Sequence, residues 1–212
     1  MKRRNGSDLR DSTTPAYPLI FSDQYLQLAT AVPRDANIYG LGEVIATDGL
    51  RINNNTIATF WNSDSGTPLD ANLYGAHPFY LETRFDEAGG ESLSHAVFMR
   101  NSHGMDVLLR SGVVEYRILG GTLDLYFLSG PTPREVVEQY SEVVGKPARI
   151  PFWAFGFHMC RWGQRWSTLD GVREVVERMK EENIPLETVW SDLDYMDRRR
   201  NFVVNEDFKY VT

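Results

Sequence analysis

Cysteine is almost absent from this chain of 212 residues, and Cys160 is the single one. One cysteine forms neither an intrachain disulfide nor a cysteine-based metal cluster. Cys160 ends an apolar run that starts at Phe152, so the sequence predicts a buried thiol that packs as a small apolar side chain. The four histidines are scattered, without Asp, Glu or Cys at ligand spacing, which predicts no metal site and no cofactor.

Long apolar runs and an excess of positive charge are missing as well. The longest apolar run, residues 150–160, is too short to span a bilayer. The basic residues 2–4 are followed by polar residues where a signal peptide needs an apolar segment. The net charge is −7, whereas binding to nucleic acid requires a basic face. The sequence therefore predicts no signal peptide, no membrane partner and no nucleic-acid partner.

Short apolar segments separated by glycine-rich turns fill the first part of the chain. Residues 1–15 are polar and charged, and we expect them to lack fixed structure. The strand-like segments that follow lie at 25–28, 38–39, 57–61, 79–81, 96–99, 107–109, 113–119 and 123–128. Many short strands with such turns are typical of a β-sandwich, which we place at residues 16–130.

The spacing of apolar residues changes to that of a helix after residue 131. Residues 132–135 (TPRE) form a capping box with proline at the first helical position. Valines and one tyrosine then recur on one helical face, and Gly145 follows as the cap. The sequence therefore predicts a linking helix within residues 131–150, with the domain boundary near 145–150.

Two apolar segments with a helical pattern between them predict a βαβ unit in the last part of the chain. The first strand takes in residues 153–159 and the second takes in residues 187–193. The helix between them has Ser167 as its predicted N-cap and stops before Pro185. Two strands connected in this way are parallel.

The C-terminal ends of parallel strands lie side by side, and here they carry polar and aromatic residues. Arg161 and Trp162 follow the first strand, and Asp192 lies at the end of the second. In α/β barrels and open α/β sheets this edge holds the functional site. We therefore expect a cation, an aromatic ring and a carboxylate to lie together there.

Four motifs in this order resemble glycoside hydrolase family 31, the α-glucosidases. Residues 156–163 (GFHMCRWG) and 190–197 (WSDLDYMD) resemble the first two barrel strands of that family. Residues 39–43 (YGLGE) and 72–75 (NLYG) resemble its N-terminal β-domain. The likeness covers roughly residues 16–212. The family usually has Tyr where this chain has Gln164, a departure at the rim of the site.

A glycosidase needs two carboxyl groups that flank the scissile bond. Asp192 and Asp194, at positions i and i+2 of the predicted strand, would share a face roughly 6.6 Å apart. Side chains adjacent on one strand approach a sugar from the same side, so they do not serve as the acid/base pair. We expect one of them to accept hydrogen bonds from sugar hydroxyls instead.

The family resemblance implies four substrate-binding residues. Asp192 matches the carboxylate that grips the non-reducing sugar, Leu193 matches an apolar neighbour, and Trp162 matches an aromatic residue of the same pocket. Asp64 resembles by position the aspartate of a β-domain loop that reaches over the barrel mouth. Asp70 is an alternative match for that aspartate, and Asp64 could equally be an ordinary turn residue.

The resemblance implies a β-sandwich followed by the beginning of a (β/α)8 barrel at residues 151–212, that is, a truncated barrel. The parent protein would be a retaining, exo-acting α-glucosidase that hydrolyses α-linked glucose oligosaccharides. Its nucleophile and acid/base would be aspartates on later barrel strands, so we expect no catalytic residue before Thr212. The remainder of the barrel would then complete the site.

Alternatives to this interpretation remain open from the sequence. One is a related activity on the same scaffold, such as that of an α-xylosidase or an α-glucosyl transferase. Another is a non-catalytic carbohydrate-binding β-module with an appended βαβ unit. The resemblance also implies that the parent protein is secreted or enters the secretory pathway.

Overall fold

The computed structural model describes residues 16–64, 66–85 and 92–209, and the chain divides into two compact units between Lys146 and Pro147. The segment 1–15, predicted to lack fixed structure, lies outside the described residues. Across the described ranges, no helix is both long enough and apolar enough to cross a membrane.

The first unit contains two antiparallel sheets. One sheet has the strand order β1-β2-β8-β7-β4 and the other has the order β3-β5-β6-β9. The strands are β1 (Ile20–Ser22), β2 (Tyr25–Ala31), β3 (Asn37–Gly40), β4 (Thr56–Phe60), β5 (Phe79–Phe85), β6 (Ser92–Met99), β7 (Met105–Arg110), β8 (Val113–Ile118) and β9 (Leu125–Leu128).

The core of the first unit lies between its two sheets. Leu26 and Tyr116 from the first sheet pack in one buried cluster with Ile38, Tyr80 and Val97 from the second. Each of these side chains is at most 4% exposed. Two sheets that pack face to face around a shared core form a β-sandwich, so the predicted fold of this unit is confirmed.

Side chains alternate between the two faces of β8, so this strand contributes both to the core and to the opposite face of its sheet. Val114, Tyr116 and Ile118 belong to the core cluster. Glu115 points to the opposite face, where its Oε1 accepts a hydrogen bond from Nε of Arg117 at 2.8 Å. A two-residue turn through Gly112, with φ of 86°, connects β8 to β7.

The helix α1 (Pro133–Val144) begins with the predicted capping box. The Thr132 hydroxyl accepts a hydrogen bond from the Glu135 N–H at 3.2 Å, and a Glu135 carboxylate oxygen accepts one from the Thr132 N–H at 3.0 Å. Tyr140 packs on Phe79 and Phe98 of the second sheet, with ring centroids 4.6 and 5.2 Å away. The helix therefore packs on the β-sandwich, and the chain divides after it, at Lys146.

The second unit is a βαβ unit followed by short turns. The strands β10 (His158–Arg161) and β11 (Thr188–Ser191) are parallel, and the helix α2 (Leu169–Glu181) connects them. This confirms the predicted start of a barrel-like arrangement. The 3-10 turns of the unit are Phe152–Phe155, Gln164–Ser167, Leu193–Tyr195, Asp197–Arg199 and Glu206–Phe208.

The local predictions for the start of the first strand, the N-cap of the helix and the burial of Cys160 are wrong. The aromatic residues at the start of the predicted first strand form the turn Phe152–Phe155, and the strand begins only at His158. The N-cap of α2 is Thr168, not Ser167, because the Thr168 hydroxyl accepts the Gly171 N–H at 3.2 Å. Cys160 is exposed rather than buried.

Candidate functional site

The C-terminal edge of the β10–β11 pair brings three of the predicted site residues to one place in the second unit. The last paired residues are Arg161 and Ser191, and the next residues along the two strands are Trp162 and Asp192. The Trp162 side chain is 69% exposed, and Leu193, next to Asp192, is 39% exposed. The edge therefore presents an indole ring, an apolar side chain and a carboxylate.

Asp192 lies at the point where the chain leaves β11. It is the N-cap of the turn Leu193–Tyr195, and its Oδ1 accepts a hydrogen bond from the Leu193 N–H at 2.6 Å. Asp192 is half-buried. A carboxylate that is anchored through one oxygen at a strand end has the chemistry needed to accept hydrogen bonds from hydroxyl groups of a ligand.

Asp194 has different surroundings, and the prediction that it shares a strand face with Asp192 is wrong. The strand β11 ends at Ser191, so both aspartates lie in or next to the following turn. The Asp194 carboxylate accepts the Gly163 N–H at 2.8 Å and the Ser167 hydroxyl at 3.0 Å. Asp194 is thereby bound to the segment that follows β10.

Asp64 belongs to the first unit, in an exposed loop between β4 and β5. The Tyr74 hydroxyl donates a hydrogen bond to Oδ1 of Asp64. The Asn72 side chain donates to the Trp61 carbonyl at 2.8 Å and so ties the two ends of this loop together. Asp64 and Tyr74 are both exposed, so this loop offers a carboxylate beside a phenol.

Asp70, the alternative match for the loop aspartate, is engaged elsewhere in the first unit. Its Oδ2 accepts the Thr47 hydroxyl at 2.6 Å and its Oδ1 accepts the Thr47 N–H at 2.9 Å. These bonds, the hydroxyl first, hold the pKa of Asp70 below its usual value because they stabilise the carboxylate. Asp70 therefore fastens one loop to another.

Glu43 also has a structural position, as its place after a glycine-rich strand suggests. One of its carboxylate oxygens accepts the Gly75 N–H at 3.0 Å, and the other lies 3.5 Å from Nε2 of His77. A Cβ atom at position 75 would lie only 2.4 Å from the Glu43 carboxyl carbon. The glycine of the NLYG motif thus permits the close approach of Glu43.

His158 and Trp190 form a contact beneath the edge that sequence reasoning missed. The Trp190 indole N–H donates to Nδ1 of His158 at 3.1 Å, and the Trp153 ring stacks on the imidazole at 5.7 Å. Nδ1 of His158 is therefore the hydrogen-bond acceptor in this contact. One signal in the sequence could have indicated this contact, since Trp190 lies only two residues before Asp192.

The residues that the structure describes include no group of three or more His, Cys, Asp or Glu side chains placed to hold a metal ion. The arrangement at the β10–β11 edge is instead suited to an uncharged polar ligand with both hydroxyl groups and an apolar face. Aromatic rings pack on apolar faces, and carboxylates bind hydroxyl donors. Sugars have this combination.

Two family models match the chain, and together they cover most of it. The Glycosyl hydrolase 31 N-terminal galactose mutarotase-like domain matches residues 8–107. The Glycosyl hydrolases family 31 TIM-barrel domain matches residues 147–211. The two matches follow the order of the two units, a β-sandwich and then the first parallel strands of a barrel. This order defines the class of glycoside hydrolase. The chain belongs to glycoside hydrolase family 31.

Curated relatives of the chain agree with this family assignment. The chain is 46% identical over 213 residues to the lysosomal alpha-glucosidase of Mus musculus. This alignment covers 98% of the chain and 21% of the mouse protein. The chain is 41% identical over 206 residues to alpha-xylosidase 1 of Arabidopsis thaliana, covering 97% of the chain and 22% of that protein. The chain thus spans about a fifth of the length of these curated relatives.

Solved structures show the same fold. A family 31 alpha-glucosidase from Bacteroides thetaiotaomicron superposes with a TM-score of 0.69 at 27% identity, over 85% of this chain and 29% of that one. A Tris-bound glucosidase II alpha subunit superposes with a TM-score of 0.71 at 22% identity, over 85% of this chain and 22% of that one.

Proposed function

We propose that the protein containing this chain is an exo-acting α-glucosidase that hydrolyses α-glucosidic bonds of oligosaccharides from the non-reducing end. The observation that carries this proposal is the β10–β11 edge, where Trp162, Asp192 and Leu193 converge. Named relatives that are α-glucosidases support it. In this role the Asp192 carboxylate accepts sugar hydroxyls, while Trp162 and Leu193 contact the apolar face of the ring.

We also propose Asp64, on the exposed loop between β4 and β5, as a sugar-binding residue of the first unit. Its exposed loop position and its hydrogen bond from Tyr74 suit a carboxylate that is held ready for a hydroxyl donor. Asp70 is the weaker candidate because both of its oxygens already accept from Thr47.

The proposed mechanism retains the configuration at the anomeric carbon and passes through a covalent glycosyl-enzyme intermediate. A retaining enzyme needs two carboxyl groups about 5–5.5 Å apart on opposite sides of the scissile bond. Asp192 and Asp194 lie in one turn, and Asp194 is already bonded to Gly163 and Ser167. We therefore assign neither as nucleophile or acid/base, and propose that aspartates on later barrel strands fill both roles.

An α-xylosidase is the second candidate, and its support is the similarity to the Arabidopsis enzyme of that name. An α-xyloside lacks the hydroxymethyl group of an α-glucoside, so the two activities differ in how the pocket receives that group. An α-glucosyl transferase would use the same β10–β11 edge. The name of the mouse relative supports a compartment of the secretory pathway for the parent protein.

The test compares two samples, the longest natural form of the protein and the 212-residue chain alone. We expect the natural form to release nitrophenol from a nitrophenyl α-glucoside faster than from the α-xyloside, and to release glucose from maltose. We expect the 212-residue chain to release none above background, because the proposal places both catalytic carboxyl groups on later barrel strands. Faster cleavage of the xyloside would favour the second candidate. Hydrolysis by the 212-residue chain, abolished by Asp192→Asn, would contradict the assignment of roles.

A further inference from the structure

One carboxylate joins the segment after β10 to the segment after β11. Oδ2 of Asp194 accepts the backbone N–H of Gly163 at 2.8 Å, and Oδ1 accepts the hydroxyl of Ser167 at 3.0 Å. Asp194 lies 31 residues beyond Gly163 and 27 beyond Ser167 in the chain. Both oxygens therefore act within the protein, and they hold the two ends of the turn Gln164–Ser167.

The backbone of Asp194 is itself held in place from the other side. The Asn205 side chain donates to the Asp194 carbonyl at 2.6 Å, and the Asn205 N–H donates to the Tyr195 carbonyl at 2.8 Å. Met196 and Val204 pair in an antiparallel β-bridge, so the chain folds back on itself between these two residues. A carboxylate on so constrained a backbone offers its partners a fixed geometry.

The partners of Asp194 are direct neighbours of the candidate substrate-binding residues. Gly163 follows Trp162, and Asp194 lies two residues after Asp192. The bond to the Gly163 N–H fixes the peptide plane between residues 162 and 163. Gly163 has a φ of 81°, a conformation that favours glycine, so the chain turns sharply at this point.

We propose that Asp194 is a positioning residue that sets the place of Trp162 relative to Asp192. This inference rests on the proposed function, because it assigns both neighbours to the sugar site. Asp194 would act through geometry, and neither its charge nor a proton on it would take part in the reaction. The second aspartate of the DLD sequence thus has a role separate from that of the first.

Asparagine and alanine at position 194 separate this role from direct catalysis. The amide oxygen of asparagine can accept the Gly163 N–H, and its amide N–H can donate to the Ser167 oxygen, so both contacts survive. Alanine removes both. We expect Asp194→Ala to lower kcat/KM for a nitrophenyl α-glucoside by about 10- to 100-fold, as a small misplacement of binding groups does. We expect Asp194→Asn to remain within about threefold of the natural protein.

Amide hydrogen exchange in residues 161–167 provides a readout that needs no turnover. The Gly163 amide should exchange faster in Asp194→Ala and at nearly the natural rate in Asp194→Asn. Asp197→Ala is the matched control, because Asp197 lies nearby but pairs with Arg200 at the surface. That variant should leave exchange in residues 161–167 unchanged. Unchanged exchange in the β10 and β11 amides would show that the variants are folded.

Each outcome decides the inference. Unchanged exchange at Gly163 in Asp194→Ala would overturn it. Equal loss of activity in the alanine and asparagine variants, with natural exchange in the latter, would also overturn it and assign the charge a direct role. If the natural protein hydrolyses no α-glucoside while exchange follows the expected pattern, the proposed function fails and the connection made by Asp194 stands.

Discussion

Glu82 in β5 and His95 in β6 lie directly opposite each other, with 3.4 Å between Oε2 of the carboxylate and Nε2 of the imidazole. Arg84 pairs with the same carboxylate through Nε at 2.5 Å and Nη2 at 3.0 Å. Glu82 is fully buried. A buried carboxylate needs such partners, because an unpaired charge in the interior is costly.

The first prediction is that the β-sandwich loses stability as the pH falls below about 6.5. Burial lowers the pKa of His95 below the ordinary histidine value of about 6.5, although the Glu82 charge opposes this effect. The unfolded chain then binds the proton more tightly than the folded chain does. The stability contributed by a neutral His95 is therefore fully present above pH 6.5 and is lost as the pH falls towards the folded pKa.

Urea unfolding of the β-sandwich at pH 7.5 and pH 5.5 measures this effect. We expect a lower free energy of unfolding at pH 5.5, and a smaller difference between the two pH values in His95→Gln. The lowered pKa values of Asp70 and Glu135 act only at more acidic pH, outside this interval. An identical pH difference in the variant and the natural chain would show that His95 is not the cause.

The second prediction concerns the exposed apolar surface of the second unit. Phe152 is 90% exposed, Phe202 is 99% exposed and Trp190 is 56% exposed. The β10–β11 pair is a two-stranded sheet, and unpaired strand edges beside apolar surface recruit other chains. We expect the 212-residue chain to bind a hydrophobic dye or to aggregate. Limited proteolysis should cut it first between about residues 160 and 212.

A chain that ends at Lys146 is the matched comparison for that experiment. It keeps both sheets and the helix α1, which packs on the second sheet through Tyr140. We expect it to bind less dye and to unfold cooperatively. A monodisperse 212-residue monomer that resists protease through Tyr195 would contradict the prediction.

Much of the β-sandwich could be predicted from the sequence. The eight predicted strand segments correspond to β2 through β9, because alternating apolar residues separated by glycine-rich turns specify short antiparallel strands. The strand β1 (Ile20–Ser22) was missed, since three residues are too few to show alternation. The capping box of α1 was found because its signal is local: Thr132 and Glu135 lie three residues apart.

The βαβ unit was predictable in topology but not in detail. The parallel pairing follows from the connection through α2, and with it the proximity of Trp162 and Asp192. The aromatic run at Phe152–Phe155 was misread as strand, because a short apolar run does not distinguish a strand from a helical turn. The bond between Asp194 and Gly163 was missed because it depends on two turns far apart in the sequence.

The proposed roles of Asp192 and Asp197 differ, although the two lie in one motif. Asp192 directly follows β11 at the candidate sugar site, whereas Asp197 lies further along and pairs with Arg198 and Arg200. Loss of a charge-assisted hydrogen bond to a hydroxyl costs roughly 1.5–3 kcal/mol. Since about 1.4 kcal/mol corresponds to a factor of ten, Asp192→Ala should lose about 10- to 150-fold in kcat/KM.

The most direct test of this account is the ratio of kcat/KM values for Asp192→Ala and Asp197→Ala, measured with a nitrophenyl α-glucoside in the longest natural form of the protein. We predict that Asp192→Ala loses at least about tenfold and that Asp197→Ala stays within about threefold of the natural protein. Nearly equal values for the two variants would contradict the placement of the sugar site at the β10–β11 edge.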